Sequence, residues 1–330
     1  MNAFTFARAV DVKDALQAVH GRPGAKFLGG GTNLVDLMKE GVERPEHLVD
    51  VNRLPLAAIE ESHGGLRIGA LARNSDVAEH PLVKQRYPLL SQALLSGASP
   101  QLRNMATVGG NLMQRTRCYY FYDTCVPCNK RHPGSGCAAL NGFNRIHAIL
   151  GASDACVAVH PSDMCVALLA LDATVEVQGA EGTRQVPVAG FHRLPGEVPE
   201  QDTTLAPEEL ITAVLLPAPA FAAHSHYIKV RDRASYAFAL VSVAAGLEMK
   251  DQKITRARVA LGGVAHKPWS VPEANDLLNG STPGDQVYTS VANALLADAK
   301  PLRFNAFKVE LVRHAIIRAL TIAVEGTQAA

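Results

Sequence analysis

Residues 25–39 read AKFLGGGTNLVDLMK, a short apolar run followed by three glycines and a helical pattern. Lys26–Leu28 predicts a strand, and a helix is predicted to follow the glycines. Glycines let backbone N–H groups turn toward one point, and Thr32 and Asn33 add side-chain donors. Such a loop at a helix N-terminus suits a pyrophosphate. Its spacing matches neither G-x-G-x-x-G nor G-x-x-x-x-G-K-[ST], so a tight turn without a ligand is the alternative.

A second segment of similar composition lies far along the chain. Residues 103–115 read RNMATVGGNLMQR, in which Thr107, Gly109, Gly110 and Asn111 repeat the donor chemistry of the first loop. A single glycine loop is readily explained as a turn. Two donor-rich loops of similar chemistry favour opposite sides of one dinucleotide.

A cysteine-rich segment follows. Residues 118–156 read CYYFYDTCVPCNKRHPGSGCAALNGFNRIHAILGASDAC and hold five of the six cysteines. Nearly forty residues without helical or strand periodicity need something to order them, and thiolates converging on iron–sulfur or zinc would do so. The one C-x-x-C pair, Cys125 with Cys128, keeps zinc open. Cys165 lies on the apolar face of a predicted helix and is predicted to be a core residue.

Composition narrows the class of protein. The chain has 330 residues, 48% hydrophobic and only 19% charged, which predicts a globular fold with a sizeable core. A net charge of +1 without a basic run argues against a nucleic-acid surface. The first residues, MNAFTFARAV, do not resemble a secretory signal, which disfavours a disulfide framework. No apolar run approaches eighteen residues, so no membrane span is predicted.

The remaining periodicity predicts a mixture of helices and strands. Beyond a linker of Pro and small residues at 217–226, three strand-like runs predict a small antiparallel sheet, followed by helices. The predicted helices are 11–20, a pair within 75–98 broken near Pro81 and Pro88, one opening at Ser162, and a long helical pattern from Val291 to Ala329. The predicted strands include 47–51 and 65–71, with strand-like runs within 182–194 and 208–217.

These motifs, in this order, resemble the FAD-binding subunits of the xanthine dehydrogenase and molybdenum hydroxylase family. The resemblance rests on AKFLGGGTNLVDLMK, RNMATVGGNL and HPSD (160–163), and extends to KVRDRASYAFALVSVAAG (229–246) and VALGGVAHKPW (259–269). It is strongest to the flavin subunit of bacterial three-subunit aldehyde oxidoreductases. Those subunits carry a [4Fe–4S] cluster in a cysteine-containing insertion, which residues 117–143 resemble.

The resemblance implies an α+β fold in two parts. Residues 1–218 would form a two-subdomain FAD-binding domain of the vanillyl-alcohol-oxidase (PCMH) type, divided near residue 55. The cysteine-rich cluster loop would occupy about 115–157 within it. Residues 222–330 would form a C-terminal α+β domain of the CO-dehydrogenase flavoprotein type, a small antiparallel sheet with helices.

The resemblance also implies which residues hold FAD. The first glycine segment would contact the pyrophosphate, and TVGGN would approach the flavin and its phosphates. Asp163 would hydrogen-bond the FAD, although a helix cap made by Ser162 and Asp163 is an alternative. Lys229 would contact FAD from the C-terminal half, with an exposed strand lysine as its alternative. The implied FAD-binding set is Lys26, Phe27, Leu28, Gly29, Gly30, Gly31, Thr32, Asn33, Leu34, Thr107, Gly109, Gly110, Asn111, Asp163 and Lys229.

For the cluster, the resemblance implies Cys118, Cys128, Cys137 and Cys156 as ligands. Cys125 departs from the family pattern and could compete as a ligand. Four thiolates need nearby positive charge or backbone donors, and the sequence offers candidates for both. These are Arg115, Arg117, Lys130, Arg131, Gly134 and Gly136.

The implied function is electron transfer without a catalytic residue for substrate chemistry. Electrons would pass from a large molybdenum-cofactor subunit and a small [2Fe–2S] subunit to the FAD and on to an external acceptor. A stand-alone FAD oxidase or reductase of the same fold, or a non-enzymatic scaffold, are the alternatives. Cofactor insertion is expected in the cytoplasm, with residence in the periplasm open through co-export with a partner subunit.

Overall fold

The N-terminal part of the chain is a three-stranded parallel sheet with two helices. The structure is a computed structural model that describes residues 1–327. The central strand pairs in parallel with both neighbours, and Asp11 caps the first helix by accepting the N–H of Asp14 at 2.7 Å. The predicted strand–glycine loop–helix is present. The elements are β1 Thr5–Arg8, α1 Val12–Val19, β2 Ala25–Leu28, α2 Leu34–Lys39 and β3 His47–Asp50.

Next comes a hairpin followed by a series of short helices. The predicted helix pair is instead three helices, because Pro81 and Pro88 each occupy a first helical position and so begin a new helix. The elements are β4 Ile59–Ser62, β5 Gly65–Gly69, α3 Asn74–Glu79, α4 Pro81–Arg86, α5 Pro88–Ser96, α6 Pro100–Arg103 and α7 Val108–Leu112.

The middle of the chain completes an antiparallel five-stranded sheet, ordered β4-β5-β8-β6-β7. The strand-like run at 182–194 is a strand only to Pro187; a short helix continues it to Phe191. The cysteine-rich loop, as predicted, has almost no regular structure. The elements are α8 Tyr119–Tyr122, α9 Asp163–Ala170, β6 Thr174–Gly179, β7 Gly182–Pro187, α10 Val188–Phe191 and β8 Leu210–Leu216.

The C-terminal part confirms the predicted small antiparallel sheet, ordered β11-β10-β9. The helical pattern predicted from Val291 to Ala329 is present as two helices separated by a break around Pro301, and Ala329 lies outside the described residues. The elements are β9 Ser225–Val230, β10 Val241–Lys250, β11 Lys253–Gly262, α11 Pro272–Asp276, α12 Asp285–Leu295 and α13 Phe307–Glu325. Within residues 1–327, no helix has the length and apolar character needed to cross a bilayer.

Candidate functional site

The cysteine-rich loop folds so that four sulfur-bearing side chains line one small cavity. These are Cys118, Cys128, Cys137 and Cys156. Cys128 and Cys137 face each other across an antiparallel bridge. Asn129 holds the loop together, because it donates to the carbonyl of Ala155 at 3.0 Å and accepts the N–H of Gly136 at 2.7 Å. The structure therefore brings together the four residues that the family resemblance implies as ligands.

The two other cysteines lie elsewhere. Cys125 is exposed, three residues before Cys128, and does not line the cavity. Its N–H donates to the carboxylate of Asp123 at 2.9 Å. Cys165 lies fully buried within the apolar core around α9. Neither side chain is placed to compete for a metal in the cavity.

The spacing of the four sulfur atoms disfavours a single zinc ion. Zinc–sulfur bonds of about 2.3 Å in a tetrahedron put the ligand sulfurs under 4 Å apart. Across residues 1–327, the one group of three His, Cys or acidic ligand atoms within 4.8 Å of one another is His160, Cys165 and His192, which does not include the four cavity cysteines. A wider thiolate set suits a polynuclear cluster.

His160, Cys165 and His192 form a separate buried group. The Nε2 of His192 approaches the carbonyl of Leu112 at 2.9 Å, and the N–H of Ser162 approaches Nδ1 of His160 at 3.4 Å. Each ring thus has one nitrogen in a backbone hydrogen bond. Burial lowers the pKa of His192 to about 4, so this ring is neutral. The other two ring nitrogens, Nε2 of His160 and Nδ1 of His192, are buried without a hydrogen-bond partner within residues 1–327.

Burial sets the chemistry of the cavity thiols. It raises the pKa of Cys118 to about 12, which the backbone N–H groups of Phe121 and Tyr120 partly offset. It likewise raises the pKa of Cys156 to about 11, against which Lys130 acts as a nearby positive charge. Any metal bound by these thiols would have to displace their protons at the expense of its own binding free energy.

One cation of the predicted set lines the cavity, namely Lys130. Its side chain is 1% exposed, and its Nζ donates to Asp202 at 2.5 Å and to the carbonyl of Pro199 at 2.6 Å. Arg115 also pairs with Asp202, at 2.8 Å, and with Glu43. Burial alone would raise the pKa of Asp202, but Lys130 and Arg115 lower it below its usual range.

The other predicted cations have structural bonds instead. Arg131 donates to the carbonyls of Tyr120 and Phe121 at 2.9 and 2.8 Å, and Arg117 to the carbonyl of Arg115 at 2.9 Å. They fix the backbone around α8 rather than facing the cavity. The acidic partner Asp202 was missed by the sequence interpretation, because it lies in a polar loop with no motif.

The glycine loop between β2 and α2 has backbone N–H groups that the described part of the protein does not itself use. Within the described residues, no hydrogen bond uses the N–H of Gly30, Gly31 or Thr32 as donor. Asn33 is attached to the cysteine-rich loop, since its Oδ1 accepts the N–H of Arg115 at 2.8 Å. Its buried Nδ2 has no acceptor in residues 1–327. Free N–H groups at a helix N-terminus fit the phosphates of FAD.

The second glycine segment lies directly against the first. A Cβ at Gly30 would lie 1.9 Å from the carbonyl oxygen of Met105, and one at Gly29 would lie 3.1 Å from Thr107 Oγ1. The two segments thus meet on one side of the molecule. Glycine is required at position 30 because backbone occupies the space of a side chain.

This second segment is a short helix and not a loop, which corrects the interpretation of its donors. Thr107 caps α7 by accepting the N–H of Gly110 at 3.2 Å, and the N–H of Asn111 donates to the carbonyl of Thr107. The N–H of Gly109 donates to Ala70. These three amides are therefore used by the protein itself, and any contact of this segment with FAD would be made by other atoms.

Asp163 and Lys229 form a buried ion pair at 2.8 Å, with side chains 8% and 3% exposed. The exposed-lysine alternative for Lys229 is thereby excluded. Tyr227 also donates to Asp163, at 2.7 Å, and was missed because nothing in its strand context marks it. The helix cap of α9 is Ser162, which accepts the N–H of Cys165 at 3.0 Å, whereas the two oxygens of Asp163 accept from Tyr227 and Lys229.

The remaining predicted FAD contacts flank the first loop. Lys26, Phe27 and Leu28 belong to β2, where Lys26 is exposed and the other two are partly buried; Leu34 begins α2. Asn111 and Ser162 link the second segment to α9 through a 2.7 Å hydrogen bond. The segments named by the resemblance are therefore neighbours in the fold, while their contacts with FAD stay predictions.

Comparison with known proteins agrees with this arrangement. Residues 2–219 match the FAD binding domain in molybdopterin dehydrogenase, and residues 226–323 match the CO dehydrogenase flavoprotein C-terminal domain. The solved carbon monoxide dehydrogenase from Hydrogenophaga pseudoflava superposes with a TM-score of 0.77 at 25% identity, covering 98% of this chain and 97% of that chain. The predicted two-part α+β fold is confirmed.

The chain belongs to the FAD-binding subunits of the molybdenum hydroxylase family, and so is an oxidoreductase subunit that binds FAD. It is 53% identical over 322 residues to the aldehyde oxidoreductase FAD-binding subunit PaoB of Escherichia coli K12, covering 97% of this chain and 98% of that protein. It is 27% identical over 304 residues to the carbon monoxide dehydrogenase medium chain of Hydrogenophaga pseudoflava, covering 91% and 89%.

Proposed function

We propose that this chain is the FAD and [4Fe–4S] electron-transfer subunit of a molybdenum-dependent aldehyde oxidoreductase. The proposal of a cluster rests on one observation: four cysteines line the same cavity, namely Cys118, Cys128, Cys137 and Cys156. The aldehyde class is supported by the 53% identity to an aldehyde oxidoreductase subunit over nearly the full length of both chains. The partners would be a large molybdenum-cofactor subunit and a small [2Fe–2S] subunit.

The cavity fits a cluster in charge as well as in donor set. When bound, the cluster and FAD would supply one-electron and two-electron redox chemistry. Lys130 places a buried ammonium group beside the thiolates and is held there by Asp202. Phe121, Ala139 and Ala158 line the cavity with apolar surface, and Leu37 and Val157 pack with them in the same buried cluster. These residues bind and insulate the group and take no part in substrate oxidation.

The role of the glycine loop is to hold the FAD pyrophosphate through the amides of Gly30, Gly31 and Thr32. Asp163 and Lys229 would contribute polar contacts from α9 and β9. No residue of this chain is assigned to substrate chemistry, which the proposal places on the molybdenum subunit. Electrons would leave from the FAD to an external acceptor.

The test is a visible spectrum and metal analysis of the complex produced with its partner subunits. The proposal expects one FAD and four iron atoms assigned to this chain, with no zinc. Iron that is unchanged when all four cavity cysteines are replaced would contradict it. A stand-alone flavin oxidase or reductase would instead show FAD without iron and would turn over substrate as the isolated chain. A non-enzymatic scaffold would show no reduction of the FAD by aldehyde.

Location is a further part of the proposal. Cofactors would be inserted in the cytoplasm, and the assembled complex would reach the periplasm if a partner subunit carries an export signal. Fractionation of cells with and without the partner subunits tests this. Finding the chain in the periplasm when its partners are absent would contradict transport with a partner.

A further inference from the structure

A buried histidine touches one of the proposed cluster ligands. His147 follows the third cavity cysteine in the loop, and its Nε2 lies 3.0 Å from Cys118 Sγ. The residue is 1% exposed. Backbone N–H groups make the other hydrogen bonds to these sulfurs in residues 1–327, from Ala158 to Cys156 at 3.5 Å and from Phe121 and Tyr120 to Cys118. His147 is therefore the side-chain contact to the thiolate set.

The backbone of His147 is held by residues of the C-terminal domain. The carbonyl of His147 accepts Lys308 Nζ at 2.9 Å and Asn305 Nδ2 at 3.2 Å, and both of these residues are fully buried. Its N–H donates to the carbonyl of Asn144 at 3.2 Å, and Asn144 in turn accepts the N–H of Phe304. The backbone at residue 147 is thus fixed from two sides.

In a hydrogen bond between His147 and a metal-bound Cys118, only the histidine can be the donor. A cysteine thiolate bound to iron has only acceptor capacity, so a hydrogen bond to it requires a proton on Nε2. The other ring nitrogen, Nδ1, has no hydrogen-bond partner in the described residues. The contact is then an N–H donor directed at the sulfur atom of a ligand.

We infer that His147 donates a hydrogen bond to the Cys118 ligand and raises the reduction potential of the cluster relative to the FAD. This rests on the proposed function, since it requires a cluster in the cavity. Hydrogen bonds to cluster sulfurs are one of the means by which proteins set the potential. A donor stabilises the reduced state, because that state carries more negative charge on sulfur. His147 would therefore help to determine the energetics of electron transfer between cluster and flavin.

The experiment compares His147→Phe with His147→Gln in the complex with its partner subunits. Redox titration followed by electron paramagnetic resonance gives the midpoint potential of the four-iron centre. His147→Phe removes the donor and is expected to lower this potential while leaving that of FAD unchanged. His147→Gln retains an N–H at similar reach and is expected to stay closer to wild type. His132→Phe, an exposed histidine of the same loop, is the matched control and should cause no shift.

A second readout does not depend on the variants folding. With 15N-labelled histidine, the wild-type cluster should show weak nitrogen coupling, as expected for a nitrogen across a hydrogen bond. Strong coupling, indicating a directly bound nitrogen, would overturn the inference, as would no coupling or an unchanged potential in His147→Phe. Absence of any four-iron signal from the wild-type complex is a different outcome, because it refutes the proposed cluster itself.

Discussion

Asn33 of the glycine loop accepts the backbone N–H of Arg115 at 2.8 Å and so joins the predicted FAD segment to the start of the cysteine-rich loop. Two further contacts join the same parts of the chain: Tyr122 donates to Asp36 at 3.1 Å, and Arg115 pairs with Glu43. Separation along the sequence would predict independent cofactor segments. The structure indicates that ordering one segment helps to order the other.

Replacing Asn33 tests this connection. Asn33→Ala removes the acceptor of the Arg115 N–H, at a cost of about 1 kcal/mol for a typical hydrogen bond. We expect lower FAD content per chain, together with a smaller loss of iron, measured on the purified complex. Asn33→Asp keeps an oxygen acceptor and should retain more of both. Full FAD and iron content in Asn33→Ala would show that the connection is unimportant.

The cysteines divide into two groups that substitution can separate. Serine at position 118, 128, 137 or 156 should reduce the iron content, because a hydroxyl is a poor substitute for a thiolate ligand. Cys125→Ser is the matched control, since Cys125 is exposed and outside the cavity. It should retain four iron atoms.

Cys165→Ser serves as a second control for a buried cysteine. It should keep iron while lowering stability through packing, because Cys165 lies in the core around α9. The measurement is iron per chain with a thermal midpoint for each variant. Loss of iron in Cys125→Ser with retention in Cys156→Ser would make Cys125 the fourth ligand.

Gly30 is constrained by backbone and not only by a ligand. A methyl group there would lie 1.9 Å from the carbonyl oxygen of Met105, so Gly30→Ala must push the two glycine segments apart. We expect destabilisation of about 1–3 kcal/mol, the range for overpacking, together with loss of FAD. Gly190→Ala is the control, because its Cβ would enter open space. A stable, flavin-replete Gly30→Ala would contradict the observed packing.

Local sequence patterns predicted much of the fold. The glycine loop between β2 and α2 and the three C-terminal strands follow from periodicity and from glycine placement. The errors came from competing local signals. Thr107 provides a helix cap that makes α7 from a segment otherwise typical of a loop, and Pro301 lies in a break that divides the predicted C-terminal helical pattern into α12 and α13.

Less of the site could be predicted from the sequence, because the residues that contact each other there are far apart along the chain. Lys130 was a candidate cation, but Asp202, seventy-two positions away, gives it its orientation. The sequence does not mark His147 as a site residue, since a single histidine in an irregular loop has no periodic signal. Tyr227 of β9 reaches Asp163 at the start of α9 only because α9 packs on the neighbouring strands β10 and β11. Such contacts depend on tertiary structure, which periodicity does not encode.

The Asp163–Lys229 pair predicts a strong coupling between two substitutions. Breaking a buried ion pair by changing one partner costs about 3–5 kcal/mol, because the other charge stays buried without its partner. Asp163→Asn and Lys229→Met should each lower the temperature at which FAD is released, followed by flavin fluorescence. The double variant should lose less than the sum of the two. Additive losses would show that the pair is not energetically coupled.

Removal of the cluster should expose one part of the cysteine-rich loop and leave another protected. Within this loop, residues 144–149 are held by hydrogen bonds from Asn305 and Lys308 that do not involve the cavity. Arg131, by contrast, is held only by partners within the cysteine-rich loop, since its side chain donates to the carbonyls of Tyr120, Phe121 and Val126. After chelation of iron, we expect trypsin to cleave after Arg131 well before Arg145, because the metal contributes to ordering the loop. Fragment masses over time give the order of cleavage.

Asn305→Ala is the informative variant: it should make Arg145 cleavable even with iron bound. Equal cleavage at Arg131 with and without iron would show that the loop is ordered by the protein alone.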